Sequence, residues 1–144
     1  MSDRDTTTRL KVYQATALFS VLFALMGFSY NVWRMEVTEH NSNVRDAAFE
    51  LLLQLAELEQ LVYAAHYDQN EERGNPRDGW VKVGLINDLS NSCGDNVVAA
   101  SADLKQAWSE HWADLPSERA SADAVVQAID ETRAQVQSEL RALD

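Results

Sequence analysis

Cysteine is nearly absent from this chain. Cys93 stands alone, so an internal disulfide is excluded and a thiolate metal cage or a haem attachment lacks its ligands. It is also far from any lipoprotein processing position, and the expectation is an inert, half-buried thiol that could bridge two copies only in an oxidising compartment. Proline and glycine are scarce too. Two prolines and five glycines supply too little turn chemistry for an all-β fold, which leaves helix as the default. Positive charge is the third shortage, with 12 basic against 23 acidic residues and a net charge of −11.

The charge is unevenly spread. Residues 1–33 carry Arg4, Arg9 and Lys11 against Asp3 and Asp5, so the acidity lies entirely in residues 34–144. An acidic body repels phosphate backbones and anionic lipid headgroups, which argues against nucleic-acid binding and against peripheral lipid binding by that part. The plain reading of the acidity is a solvated face that keeps the domain soluble.

What the chain has in strength is one apolar run. From Val12 to Trp33 no charged residue occurs, and Lys11 and Arg34 bracket the segment. As a helix its 22 residues rise about 33 Å, against a hydrocarbon core of about 30 Å. Leu18, Phe19, Val21, Leu22, Phe23, Leu25 and Phe28 each favour insertion. Gln14, Ser29 and Asn31 lie toward the ends, and Tyr13, Tyr30 and Trp33 suit the two interfaces. A cleaved secretory signal needs small residues at a fixed spacing after the apolar run, and Ser29 to Trp33 does not provide them. The expectation is an uncleaved anchor in the lipid bilayer.

Three basic residues precede the span, and Arg34 and Arg45 follow it, a thin margin that places residues 1–11 as a cytoplasmic tail. Residues 34–144 then lie outside, in the periplasm of a bacterial host with the anchor in the inner membrane. Within the span Thr16, Ser20 and Ala24 recur every fourth residue, with Gly27 three further on, a ridge of small side chains where another helix can approach closely.

No proline or glycine interrupts the chain from Arg34 to Glu72, so the membrane helix is expected to continue outward. Val37, Val44, Ala48, Leu51, Leu55, Leu58, Val62 and Ala65 form its apolar stripe, and Leu52 and Leu61 widen it beyond a two-stranded seam. Asp68 to Gly79 reads as a loop, and Trp80, Val83 and Ile86 as the start of a short helix weakened by Gly84. Ser90 to Gly94 reads as a turn. Asp95 then caps a helix lined by Val97, Ser101, Leu104, Trp108, Trp112 and Leu115 and ended by Pro116. Ser117 caps a last helix lined by Ala122, Val126, Ile129, Val136, Leu140 and Leu143, with a gap at Arg133. The fold expected is all-α: a single transmembrane helix at 12–33 that runs into an antiparallel extramembrane bundle of three to four helices over 34–144.

The search for chemistry comes back thin. Gly79 and Gly84 have P-loop spacing, but Leu85 and Ile86 stand where lysine and a hydroxyl are needed. His40 and His66 are about 39 Å apart on one helix, so only His66 and His111 can meet over a metal, and surface histidines near Glu110 or Asp114 are the simpler reading. Glu57, Glu59, Asp130 and Glu131 fall on polar faces and read as solvated. Trp108 and Trp112 stand one turn apart with Trp80 nearby, and they serve as core or as an interaction surface.

No catalytic residue, cofactor or metal follows from this pattern, and no enzyme activity is expected. The leading expectation is an accessory or assembly subunit, anchored by one span, that binds another membrane protein or a second copy of itself. The alternative is a ligand-sensing module. The layout resembles the extracytoplasmic bundles of bacterial chemoreceptors and sensor kinases in architecture only, because those return through a second span and no other apolar run occurs here.

Overall fold

A computed structural model describes residues 3–143, with side chains from Arg9 onward. Among the described residues there are four helices and no strand: α1 (Asp3–His66), α2 (Pro76–Ser90), α3 (Asp95–His111) and α4 (Arg119–Ala142). The first two residues of the expected tail lie outside the described residues, and the tail is helical from Asp3. Two compact units make up the chain, Met1–His40 and Asn41–Asp144.

In the first unit every described side chain from Arg9 to His40 is exposed. The apolar run has a mean hydropathy of 1.6 over an 18-residue window, none of it buried, and the helix is long and apolar enough to cross a membrane. Val37, expected at the head of the buried stripe, is 42% exposed.

The second unit is a packed core. On α1 the buried stripe begins at Val44 and continues through Ala48, Leu51, Leu55, Leu58, Val62 and Ala65, as the alternation of three- and four-residue steps requires. It meets Val83 and Ile86 of α2, Val97, Leu104 and Trp108 of α3, and Ala122, Val125, Ile129 and Val136 of α4 in one cluster. Leu115, from the turn between α3 and α4, joins them. Each valine, leucine or isoleucine among them contributes on the order of 1.5–3 kcal/mol by leaving water. Helix α3 packs against both α2 and α4.

Several helix ends differ from the sequence expectation. Helix α2 begins at Pro76, four residues earlier than expected, because Asn75 caps it by accepting a bond from the Arg77 amide at 3.0 Å. Proline suits that position, where its missing N–H has no helical partner. Gly84 does not interrupt α2. At α3 the capping residue is Gly94, at φ 120°, and Asp95 is the first helical residue, where its charge faces the positive end of the helix dipole. Helix α3 stops at His111, well before Pro116, and residues 112–117 are turns. Glu118, not Ser117, precedes α4, and the Ser117 hydroxyl donates to the Asp114 carbonyl.

The apparent gap in the α4 stripe is filled by Thr132, fully buried one residue before Arg133. Its hydroxyl is within bonding distance of its own helix at Ala128 O, 2.8 Å, and of α3 at Ala100 O, 3.2 Å, so a polar side chain satisfies itself inside the core.

Candidate functional site

The tryptophans expected to act together are divided by the fold. Trp108 is fully buried, whereas Trp112, past the end of α3, is 37% exposed, and Trp80 on α2 is 39% exposed. The Trp80 and Trp108 rings meet edge to face, at 89° and 6.4 Å between centroids. Trp108 fits because Gly79 leaves room: a Cβ there would lie 2.1 Å from the indole Cζ2 and 2.2 Å from Cη2. Among the described residues, none gives the buried Trp108 Nε1 a hydrogen-bond partner. Its packing is gained at the expense of an unmade bond.

The carboxylates expected to be solvated divide as well. Glu59 is partly buried and binds Arg133 of α4 at 2.5 Å, while Arg133 also holds Asp130 of its own helix. Tyr63 donates its hydroxyl to Glu59 at 2.7 Å. Burial pushes the Glu59 carboxyl up, but the Tyr63 hydroxyl and the Arg133 guanidinium outweigh it and hold the group below its usual value. The same bond, with burial and the nearby negative charge, pushes the Tyr63 phenol up to about 12. Glu57 binds Lys82 of α2 at 2.5 Å. Glu131 remains on the surface, bonded to Gln127 of its own helix. These ion pairs join α1 to α2 on one side and to α4 on the other.

His66 and His111 do not share a partner. His66 Nδ1 lies 2.8 Å from the Leu115 carbonyl and His111 Nδ1 3.2 Å from the Ser121 hydroxyl, in place of Glu110 and Asp114. Among the described residues no three His, Cys, Asp or Glu side chains come together as a metal site would need. Cys93 is buried rather than half-buried, and burial, then the charge of Glu139, pushes its thiol up.

At one end of the core Gln69 turns the chain in the left-handed region, φ 50°. Its amide donates to the His66 carbonyl at 2.6 Å and to Pro116 at 2.8 Å, tying the end of α1 to the α3–α4 turn. Beside it is an open hollow of about 460 Å³ lined by Gln69, Asn70, Gly74, Asn75, Arg77 and Pro116. Two charged side chains line it, Glu71 and Arg77, and both are exposed.

The small residues of the first unit, Thr16, Ser20, Ala24 and Gly27, are all exposed. The Thr16 and Ser20 hydroxyls donate to the carbonyls four residues back, Val12 and Thr16, which hides their polarity along the helix. A Cβ added at Gly27 would meet nothing within 4 Å.

The chain matches no protein-family model, no curated protein and no solved structure.

Sequence reasoning missed a second apolar stripe on α1, on nearly the opposite face from the buried one. Phe49 is 62% exposed and Leu53 51%, with Tyr63 on the same line and Tyr67, 58% exposed, in the turn just past the helix. The signal was present, because Phe49, Leu53, Ala56, Gln60, Tyr63 and Tyr67 step by four and three in alternation. On α2, Val81 and Leu85 are exposed as well. The second unit thus carries exposed apolar side chains on both α1 and α2.

Proposed function

We propose that the protein is a single-pass, membrane-anchored accessory or assembly subunit that binds another membrane protein, or a second copy of itself, through its helical domain. The observation that carries the reading is the exposed apolar stripe of α1 on a domain whose core is otherwise well filled. Large aromatic and aliphatic side chains left in water on a packed domain are characteristic of protein interfaces. The exposed apolar run of residues 12–33 supports the anchor, since leaving it in water would forfeit more than the domain gains from several core contacts. In this reading the N-terminus is cytoplasmic and the acidic domain is an antiparallel bundle on the far side of a bacterial plasma membrane, after the slight excess of basic residues before the span. Native mass spectrometry of the full chain in gentle detergent tests it. The expected result is a homo-oligomer or a complex with another membrane protein, and a strictly monomeric chain with no co-purifying partner overturns it.

A second reading, an extracytoplasmic ligand-sensing module, is favoured by one observation, the 460 Å³ hollow beside Gln69 and Arg77. A thermal-shift screen of small metabolites on the full chain separates the two. Stabilisation abolished by Arg77→Ala supports sensing, and no shift with any ligand removes it.

A further inference from the structure

We propose that α2 pairs with the α2 of a second copy, antiparallel, along a seam formed by Arg77, Val81, Gly84 and Asp88. The inference rests on the reading that the helical domain binds a second copy, and deepens it by naming the surface and the direction.

Gly84 is the starting observation. Glycine inside a helix costs about 0.5–1 kcal/mol relative to alanine. At Gly79 the chain itself accounts for it, because a Cβ there would strike the Trp108 ring. At Gly84 nothing in the chain does, since the corresponding point has no atom within 4 Å. The buried residues of α2 are Gly79, Val83, Ile86 and Ser90, and the face opposite them carries Arg77, Val81, Gly84 and Asp88 in steps of four, three and four. That is the spacing of a seam between two helices. All four positions are within the helix, Val81 is 70% exposed, and Trp80 and Leu85 border the line at 39% each.

The order of these residues names the occupant. Along the chain the seam reads cation, branched apolar side chain, no side chain, anion, and each member complements the one at the reversed place. Two copies laid antiparallel set Arg77 against the second copy's Asp88 and Val81 against the second copy's Gly84, and two-fold symmetry makes each contact twice. The valine fills the space the glycine leaves, and both ends close as ion pairs. A parallel pair instead opposes arginine to arginine and aspartate to aspartate, and leaves a gap where two glycines meet. Neither the Arg77 nor the Asp88 side chain has an ionic partner among the described residues, so both are available. Asp78 and Lys82 lie to one side of the seam, and Lys82 is held by Glu57 of its own α1. The complement this face calls for is therefore the same face reversed.

The seam is short, about 17 Å from Arg77 to Asp88, so the pair forms where copies are concentrated, as in a micelle or a bilayer. Its two-fold axis is perpendicular to α2. Copies in one bilayer adopt it with α2 lying along the surface, and copies with α2 upright adopt it across facing bilayers; detergent imposes neither restraint.

Cysteine crosslinking of the full chain in detergent tests the direction. Arg77→Cys and Asp88→Cys are made singly with the buried Cys93 retained, helix content is checked by circular dichroism, and linked peptides are identified by mass spectrometry. Oxidised together with copper phenanthroline, the two variants are expected to give the mixed link and no self-link, since like positions are about 17 Å apart along the antiparallel pair. Self-links of either variant, or no link at all, overturn the proposal. Charge exchange is a second measurement that needs no thiol. Arg77→Asp and Asp88→Arg should each weaken dimerisation roughly tenfold, and mixing the two should restore it, because each then meets its opposite charge at both ends. Failure to restore it overturns the pairing. Gly84→Leu fills the notch and should weaken dimerisation roughly tenfold, while the domain unfolds at or above the parent's temperature. A leucine variant that pairs as well as the parent overturns it too. The failures are distinguishable: an oligomer or heteromeric complex that persists without the mixed link leaves the proposed function standing, whereas a lone monomer removes both.

Discussion

Gly79 and Trp108 are fitted to one another: the first carbon of any side chain on Gly79 would fall 2.1 Å from the Trp108 ring. Gly84, on the same helix, has no atom within 4 Å of the corresponding point. The two glycines of α2 therefore respond oppositely to alanine.

Gly79→Ala should lower the stability of the domain by about 1–3 kcal/mol through forced displacement of the indole. Gly84→Ala should raise it by roughly 0.5–1 kcal/mol, because a helix interior prefers alanine and nothing opposes the methyl. Urea midpoints of the two variants against the parent measure both signs.

Glu59 makes the domain sensitive to acid. Its carboxyl is held below the usual 4.5, so its contribution is present above the ordinary carboxylate range and is lost as the pH falls through the lower folded value. Stability should decline below about pH 4.5, and Glu59→Gln should flatten that decline while costing on the order of 1 kcal/mol at neutral pH. Thermal unfolding of the parent and the variant across the acid range is the measurement.

The Tyr63 phenol gives an independent reading of the same contact. It should ionise near 12 in ultraviolet titration, and Glu59→Gln should bring it back toward 10 by removing the charged acceptor. An unchanged titration would show that the two side chains are not paired in solution.

How these contacts relate to the sequence is instructive. The α1 stripe from Val44 to Ala65 was legible because it depends only on helical periodicity, and the four helices were legible for the same reason. The ion pairs were not, since Glu59 and Arg133 are 74 residues apart and only the packing of α1 on α4 brings them together. Trp112 misled because the 3.6-residue spacing from Trp108 implies a shared face only while the helix lasts, and α3 ends at His111. Thr132 was overlooked because a threonine in a core pays for itself only through carbonyls, one of them on α3, that no local pattern reveals. The exposed stripe of α1 was legible in spacing but hidden behind the stronger buried one.

Cys93 should be slow to react. Buried and with its thiol pushed up, it presents little thiolate at neutral pH. Alkylation by iodoacetamide should follow the unfolding of the domain with denaturant, and labelling as fast as that of a free thiol in native buffer would contradict the packing around it.

Leu22 lies at the middle of the apolar run and is exposed in the chain itself. Leu22→Arg should cost about 2.5–3.5 kcal/mol of insertion free energy. The variant protein should shift from the membrane pellet toward the soluble or degraded fraction after carbonate extraction, while Gln14→Arg, near the end of the run, should shift less. Equal extraction of both variants would count against a bilayer around this segment.

The core of the second unit has a consequence for synthesis. Its first buried residue is Val44 and its last Val136, so the apolar stripe of α1 leaves the ribosome long before the helix that finally covers it. At about 5–20 residues per second the interval is roughly 5–18 s, long on the scale of collapse and aggregation. During that time the nascent chain exposes both stripes of α1 at once, the one destined for the core and the one left in water. A ribosome making this protein is thus carrying an amphiphile before it carries a domain.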